Sequence, residues 1–332
     1  MSDDLMHALV ATKPGGPDTL QFTEVPVPAP ARGEVRIRVE RCGLNPLDVA
    51  ARRGDAPWFV NTWPAILGIE FSGIVDQVGE DVDESWLGQS VTSTTTMGGN
   101  AAFAVAPVSG IYRSPEGIDA DTAAVYRGAC HTAFRILEMY GPPSGSGAWV
   151  LVHSAAGTIG PILTQLAKAS GARVIGLTST QEKSDWAAQF GADHLVVATG
   201  DDWVDPVRKI LGDEGIALAV DGNGGKAAVR NLDVLAPFGT AVFIGASSGE
   251  QAPALAPRLL IPKALRVAGF SLPLVEALQG DTARVDALIV DRLRSGDLKM
   301  PIARRADFSD LPALHAAFEA RELMGRTLIR ME

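Results

Sequence analysis

The stretch from Trp149 to Thr178 constrains this chain's fold more than any other. Trp149 to Val152 is an apolar run of strand length, and Ile159, Ile162, Leu163, Leu166 and Ala167 then recur at helical spacing on one face. A second apolar run, Val174 to Thr178, follows. Two strands joined through a helix read as a parallel β-α-β unit. Between the first strand and the helix stands Ala155-Ala156-Gly157-Thr158-Ile159-Gly160, a GxGxxG pattern with alanine at its first small position. Gly157 lets backbone approach a pyrophosphate, and Gly160 lets the helix pack on the strand. The anion would sit on the unpaired N–H groups of the helix N-terminus. Similar turns occur in α/β proteins that bind no nucleotide, but here strand, turn, helix and second strand coincide, and that context favours a dinucleotide site.

The end of the second strand is where a site for NAD places a carboxylate against the ribose hydroxyls. This chain carries Thr178, Ser179 and Thr180 there, with Lys183 on the following helix. Hydroxyls and an ammonium suit a 2'-phosphate, so NADP(H) is the expected cofactor. Taken alone, Lys183 also reads as a solvated surface lysine; the missing acid weighs more.

With 332 residues the chain is long enough for about two domains, and a formal charge of −10 argues against nucleic acid or an anionic membrane as partner. The expected partner is a small-molecule substrate. Two cysteines, Cys42 and Cys130, cannot build a disulfide framework and fit a reducing compartment. The N-terminal residues lack an apolar signal-peptide core, and no apolar run is long enough to span a bilayer, so a cytoplasmic protein is expected.

Pattern divides the chain into three stretches. Residues 1–118 are rich in β-branched alternation, as in Glu34 to Glu40 and Phe71 to Gly79, and predict a compact β-rich domain. Residues 119–264 alternate strands with helices, with strands expected at 148–153, 172–178, 194–198, 216–221 and 240–245, and predict a doubly wound α/β sheet. Residues 265–332 open on a sixth strand at Arg266 to Phe270 and end on another at Arg326 to Arg330, returning to the first domain.

Four motifs in order, Gly43-Leu44-Asn45-Pro46-Leu47-Asp48, Pro64 to Gly73 with Gly68-Ile69-Glu70 at its centre, Ala155 to Gly160, and Gly325 to Ile329, span nearly the whole chain. It resembles the medium-chain dehydrogenase/reductase superfamily, in its zinc-free quinone oxidoreductase branch. The resemblance implies a split, β-rich GroES-like catalytic domain around a Rossmann domain, with substrate between them, and a homodimer. Where zinc relatives carry a cysteine ligand this chain has Asn45, and where they carry a histidine it has Ile69. A zinc centre needs three protein ligands, so no catalytic metal is expected. Cys42 reads as a small core residue. Cys130 and His131 are neighbours on a helix, about 100 degrees apart, which disfavours a thiolate pair.

By the same resemblance Asn45 lies at the substrate end near the nicotinamide, and Thr132 faces its carboxamide. Ile244, Gly245, Phe270 and Ser271 line the nicotinamide pocket, and Asn223 runs along the ribose. For Asn223 and Ser271 an ordinary turn or packing duty stands as an equal reading. Many quinone oxidoreductases carry a tyrosine just after Asn-Pro, and Val49-Ala50-Ala51 holds none. Tyr126 and Arg127, before Thr132, are the polar pair that would replace it, either as a catalytic contact or as core filler and ion-pair partner. Trp58 and Trp63 read as a flat wall for an aromatic substrate or as packing. The chemistry implied is hydride transfer from NADPH to a quinone or an α,β-unsaturated carbonyl compound. An enoyl-thioester reductase and a low-turnover NADPH-binding sensor or structural protein are the alternatives.

Overall fold

The computed structural model describes residues 5–94, 96–198 and 202–331. The chain opens with β1 (Leu5–Ala11), β2 (Leu20–Pro26), β3 (Glu34–Gly43), α1 (Pro46–Arg53), β4 (Ala65–Ile66), β5 (Glu70–Val78), β6 (Ser90–Ser93), β7 (Phe103–Pro107) and β8 (Ile111–Arg113). Helix α2 (Ala120–Tyr140) leads to β9 (Trp149–Val152), α3 (Gly160–Ala169), β10 (Arg173–Thr178), α4 (Gln181–Ala187), β11 (His194–Val197), α5 (Val204–Leu211), β12 (Ile216–Asp221) and α6 (Asn231–Val234). There follow β13 (Leu235–Phe243), β14 (Arg266–Gly269), α7 (Leu272–Gln279), α8 (Thr282–Ser295), β15 (Ile302–Asp307), α9 (Leu311–Glu319) and β16 (Arg326–Arg330).

These elements form two compact units, one of Met1–Arg127 with Ile302–Glu332, the other of Gly128–Pro301. The division falls inside α2. Among the described residues no helix is long and apolar enough to cross a membrane.

In the first unit a mixed sheet runs β15-β16-β3-β5-β6-β8, with β7 also on β3, beside a smaller sheet β2-β1-β4. Strand β3 alternates because one face is buried: Val35, Ile37 and Val39 point to the core while Arg36 and Arg38 do not. The last strand, β16, pairs antiparallel with β3 through Leu328 opposite Gly43, so the C-terminal residues complete the sheet begun by the N-terminal ones.

The second unit is a six-stranded parallel sheet in the order β11-β10-β9-β12-β13-β14. Its central strand β9 is buried at every residue, as expected of a parallel strand covered on both faces. The strand order reverses between β9 and β12, and ligands of open α/β sheets bind at the carboxyl ends of strands beside such a switch point. Strand β13 begins five residues before the expected 240. Register slips from Ile216 opposite Leu235 to Leu218 opposite Thr240, and the extra loop carries Phe238 at a left-handed φ of 63°. No periodicity announces such a bulge.

Candidate functional site

The glycine turn in the second unit is built by close packing. A Cβ added at Gly160 would lie 2.5 Å from the carbonyl oxygen of Ser154 and 2.8 Å from Ala155 Cα, so only glycine lets α3 approach the end of β9. The Gly157 N–H donates to the Ser154 carbonyl at 2.7 Å, and the Ala155 N–H donates to the Leu177 carbonyl at 2.9 Å. The second bond sets the turn against the end of β10. Gly157, Thr158 and Ile159 are half-buried there, whereas Ala155 and Gly160 are buried. This is a cradle in which backbone lines an open edge at a helix N-terminus, and it fits a pyrophosphate.

Beside the turn, β10 ends at buried Thr178 and gives way to exposed Ser179 and Thr180. The Thr180 hydroxyl caps α4 by accepting from the Lys183 N–H at 3.2 Å, which brings Lys183 into the first turn of that helix. Ser179 and Thr180, with Lys183 in the first turn of α4, stand where an NAD site would carry a carboxylate. The residues present fit a phosphorylated ribose.

Across the switch point, Asn223 Oδ1 accepts from Ser154 Oγ at 2.8 Å, so the loop after β12 touches the turn after β9. The Ile244 N–H donates to the Asp221 carbonyl at 2.9 Å, and a Cβ on Gly245 would sit 3.0 Å from the Gly222 carbonyl oxygen. The loop after β13 is therefore packed on the loop after β12. Phe270 follows β14 and donates its N–H to the Phe243 carbonyl at 3.0 Å; Ser271 next to it is exposed and precedes α7. Ala155 to Gly160, Thr178, Ser179, Lys183, Asn223, Ile244, Gly245, Phe270 and Ser271 thus occupy the carboxyl ends of β9, β10, β12, β13 and β14. Thr132 stands apart on α2. Its hydroxyl donates to the Gly128 carbonyl one turn back at 2.7 Å.

In the first unit Asn45 is the N-cap of α1, with Oδ1 accepting from the Leu47 N–H at 3.0 Å. Asp48 completes the capping box: its Oδ2 accepts from the Asn45 N–H at 3.0 Å. Its other oxygen accepts from the N–H groups of Gly68 and Ile69 at 3.2 and 2.9 Å, which ties the Asn45 loop to the segment entering β5. Burial pushes the Asp48 carboxyl up to about 6, against the pull of those three N–H donors and of Arg326. Arg326 in turn pairs with buried Glu70.

Ile69 is buried, and Cys42 is buried with its sulfur 3.8 Å from that of Met331. Desolvation raises the Cys42 thiol well above its usual range, and Cys130 likewise. Among the described residues no group of three or more His, Cys, Asp or Glu side chains is placed to hold a metal ion. Tyr126 is fully buried; Arg127 is buried with its guanidinium carbon 3.3 Å from the centre of the Tyr112 ring. Trp58 is exposed, and Trp63 is half-buried against the core of its unit.

Sequence reasoning passed over the groups that hold these loops. Asp48 lay inside a quoted motif, and its position three residues after Asn45 is the capping-box signal. Asp221 stands before Gly222-Asn223-Gly224-Gly225, the pattern of an Asx turn.

Comparison with known proteins bears on both units. Residues 158–288 match the family described as zinc-binding dehydrogenase, and residues 31–125 match the alcohol dehydrogenase GroES-like domain. The chain is 28% identical to a 2-haloacrylate reductase of Burkholderia sp over 98% of this chain and 99% of that protein. It is 29% identical to the quinone oxidoreductase of Lama guanicoe over 81% of this chain and 80% of that one. A mycobacterial protein solved in complex with NADPH superposes with a TM-score of 0.89 at 31% identity, covering 98% of this chain and 99% of the other. The Escherichia coli quinone oxidoreductase complexed with NADPH gives 0.89 at 26% identity, covering 98% and 99%. With a GroES-like unit and a Rossmann unit in the same order and over the same length, the chain belongs to the medium-chain dehydrogenase/reductase superfamily, in its quinone oxidoreductase-like branch.

Proposed function

We propose that this protein is a zinc-independent, NADPH-dependent reductase that delivers hydride to a quinone or to an alkene conjugated to a carbonyl. The observation that carries the reading is the end of β10, where Thr178, Ser179, Thr180 and Lys183 stand in place of a carboxylate beside the glycine turn. The protein is an NADP-dependent oxidoreductase, in keeping with relatives named quinone oxidoreductase and 2-haloacrylate reductase. Bound NADPH supplies the hydride.

The chain's own residues bind, orient and stabilise. The Thr132 hydroxyl spends its proton on its own helix, so its oxygen is left to accept from a carboxamide N–H. Asn45 spends its oxygen on the cap of α1, and its Nδ2 has no acceptor among the described residues. An amide N–H fixed in this way suits the oxyanion that develops as hydride reaches a conjugated acceptor. Tyr126 or Arg127 adds a buried dipole or charge; arginine acts as a stabiliser because it does not release a proton. Trp58 and Trp63 form the wall for a planar acceptor. Zinc independence rests on Asn45 and Ile69 at the positions that zinc relatives use for ligands.

The assembly we propose is a homodimer through the edge of β14, which among the described residues has no further strand beside it and where Val267 is exposed, as are Leu259 and Ile261 in the turns before it.

The test is turnover of a simple quinone, an enone and an enoyl thioester with NADPH and with NADH, alongside elemental analysis of the purified protein. Activity on the first two with NADPH, surviving strong chelator, is the expected result. NADPH binding without turnover would assign a sensor instead, and one tightly held zinc per chain, with activity lost on its removal, would end the zinc-free reading. Tyr126→Phe and Arg127→Met should lower kcat on the enone far more than they weaken NADPH. If both keep normal turnover, the pair is structural.

A further inference from the structure

We propose that Ser154, Asn223 and Asp221, with Asn231 and His153 behind them, form a positioning ring that fixes the dinucleotide turn, so that cofactor affinity depends on buried groups that do not line the turn. This rests on the dinucleotide reading above and adds residues to it.

The ring closes through successive hydrogen bonds. Ser154 Oγ donates to Asn223 Oδ1 at 2.8 Å. The N–H groups of Asn223 and Gly224 donate to Asp221 Oδ1 at 2.8 and 3.1 Å. Asn231 Nδ2 donates to Asp221 Oδ2 at 3.0 Å and to the Ala228 carbonyl at 3.0 Å. The Asn231 oxygen is therefore an acceptor, and His153 Nε2 at 2.7 Å must carry the proton. His153 is joined to Ser154 by the peptide bond, which completes the circuit. Asp221, Asn231 and His153 are buried, and the His153 ring packs edge-on against Trp203 at 5.1 Å. Directly after the two N–H groups that share one Asp221 oxygen, Gly224 and Gly225 take left-handed φ of 64° and 68°, which turns the chain back from the carboxylate.

Two observations point from this ring to a ligand rather than to mere support. Ser154 is exposed yet held at a left-handed φ of 51°, a conformation that a serine adopts only when its surroundings impose it, and it directly precedes the turn. Its hydroxyl bond to Asn223 crosses the switch point between β9 and β12, where open α/β sheets bind their ligands. Ser247 Oγ, after β13, donates to the same Asn223 oxygen at 3.3 Å, so one amide oxygen gathers the loops of three strands. With that oxygen engaged twice, Asn223 offers a ligand only its Nδ2 hydrogens, which have no acceptor among the described residues.

Ser154→Gly separates positioning from stability. It removes the hydroxyl and at the same time releases the backbone from a conformation that glycine adopts freely. The melting temperature should stay level or rise, while direct fluorescence titration shows NADPH binding weakened about three- to tenfold. Asn223→Ala should weaken NADPH by a similar factor or more. The double variant should lose less than the product of the two, because the partners share one bond. Asp221→Asn, which keeps the shape but sets an amide against N–H donors, should raise KM for NADPH with kcat at saturation held within about twofold. Unchanged NADPH affinity in Ser154→Gly, or losses in the two single variants that simply multiply, would overturn the ring. Failure of the wild-type protein to bind NADPH at all would instead overturn the function on which the ring rests.

Discussion

Asp48 in the first unit and Asp221 in the second each hold a loop that bears candidate site residues, and they do it through different partners. Asp48 accepts from backbone N–H groups only, those of Asn45, Gly68 and Ile69, and burial lifts its carboxyl to about 6. Asp221 accepts from two backbone N–H groups and from the Asn231 side chain, which hands the contact on to His153. A carboxylate that meets only backbone joins two chain segments directly, and everything then depends on its own oxygens. One that works through side chains spreads the same duty over several residues. The Asn45 loop should therefore be the more brittle of the two and the more sensitive to pH.

Asp48→Ala gives the largest expected effect. It leaves three N–H groups without their acceptor, those of Gly68 and Ile69 buried, at about 1–3 kcal/mol for each buried one, so a loss of at least about 2 kcal/mol is expected in urea unfolding. The truncation of a shared support such as Asn231→Ala should cost less. If the order is reversed, the contrast between the two carboxylates is wrong.

The pH dependence sharpens it next. Asp48 has a folded value raised above the ordinary range, so its contribution favours the folded state most below about 4 and fades as pH rises through about 6. His315 in the same unit is pushed down to about 3 by burial and by Arg52, so its contribution is present above the ordinary histidine value and is lost as pH falls toward 3. The two oppose each other between pH 4 and 6. Asp48→Asn should therefore unmask a stability that declines on acidification, and His315→Leu one that increases, each by on the order of 2 kcal/mol across the window. Parallel slopes in denaturant titrations of the two variants would refute the pairing.

In the second unit, charge should matter at the ligand rather than in the fold. Lys183→Ala is expected to weaken NADPH about tenfold or more, leave NADH nearly unchanged, and shift the melting temperature little, since one charge-assisted contact contributes about 1.5–3 kcal/mol. Equal losses for both cofactors would remove Lys183 from the phosphate site. The smallest effect is expected at Phe238, which is exposed at a left-handed φ of 63°. Phe238→Gly should raise stability by about 1 kcal/mol, because the backbone there penalises any Cβ; a fall in stability would mean that the ring is packed on something in solution.

The alternation of strands with helices from residue 149 onward, the glycine turn and the hydroxyls after β10 were all legible in the chain, because each is a short-range pattern whose period or turn chemistry names its own conformation. The bulge in β13 was not, since Pro237-Phe238-Gly239 reads as an ordinary turn and only pairing with β12 shows where the register slips. Asp48 announced its bond to Asn45, three residues away, as a capping box. Its bonds to Gly68 and Ile69 had no local signal, because they exist only once β5 is brought beside α1.

The sequence by itself thus determined which segments become strand, turn and helix, and which chemistry the strand ends carry, since hydrophobic period and backbone allowance act over a few residues. Only the tertiary structure decided that Ser154 would be held in a left-handed conformation by Asn223, 69 residues away, and that a buried Asp221 would anchor both sides. Hydrogen bonds of that span form only when strand order sets two distant loops side by side, and strand order is fixed by packing the whole sheet.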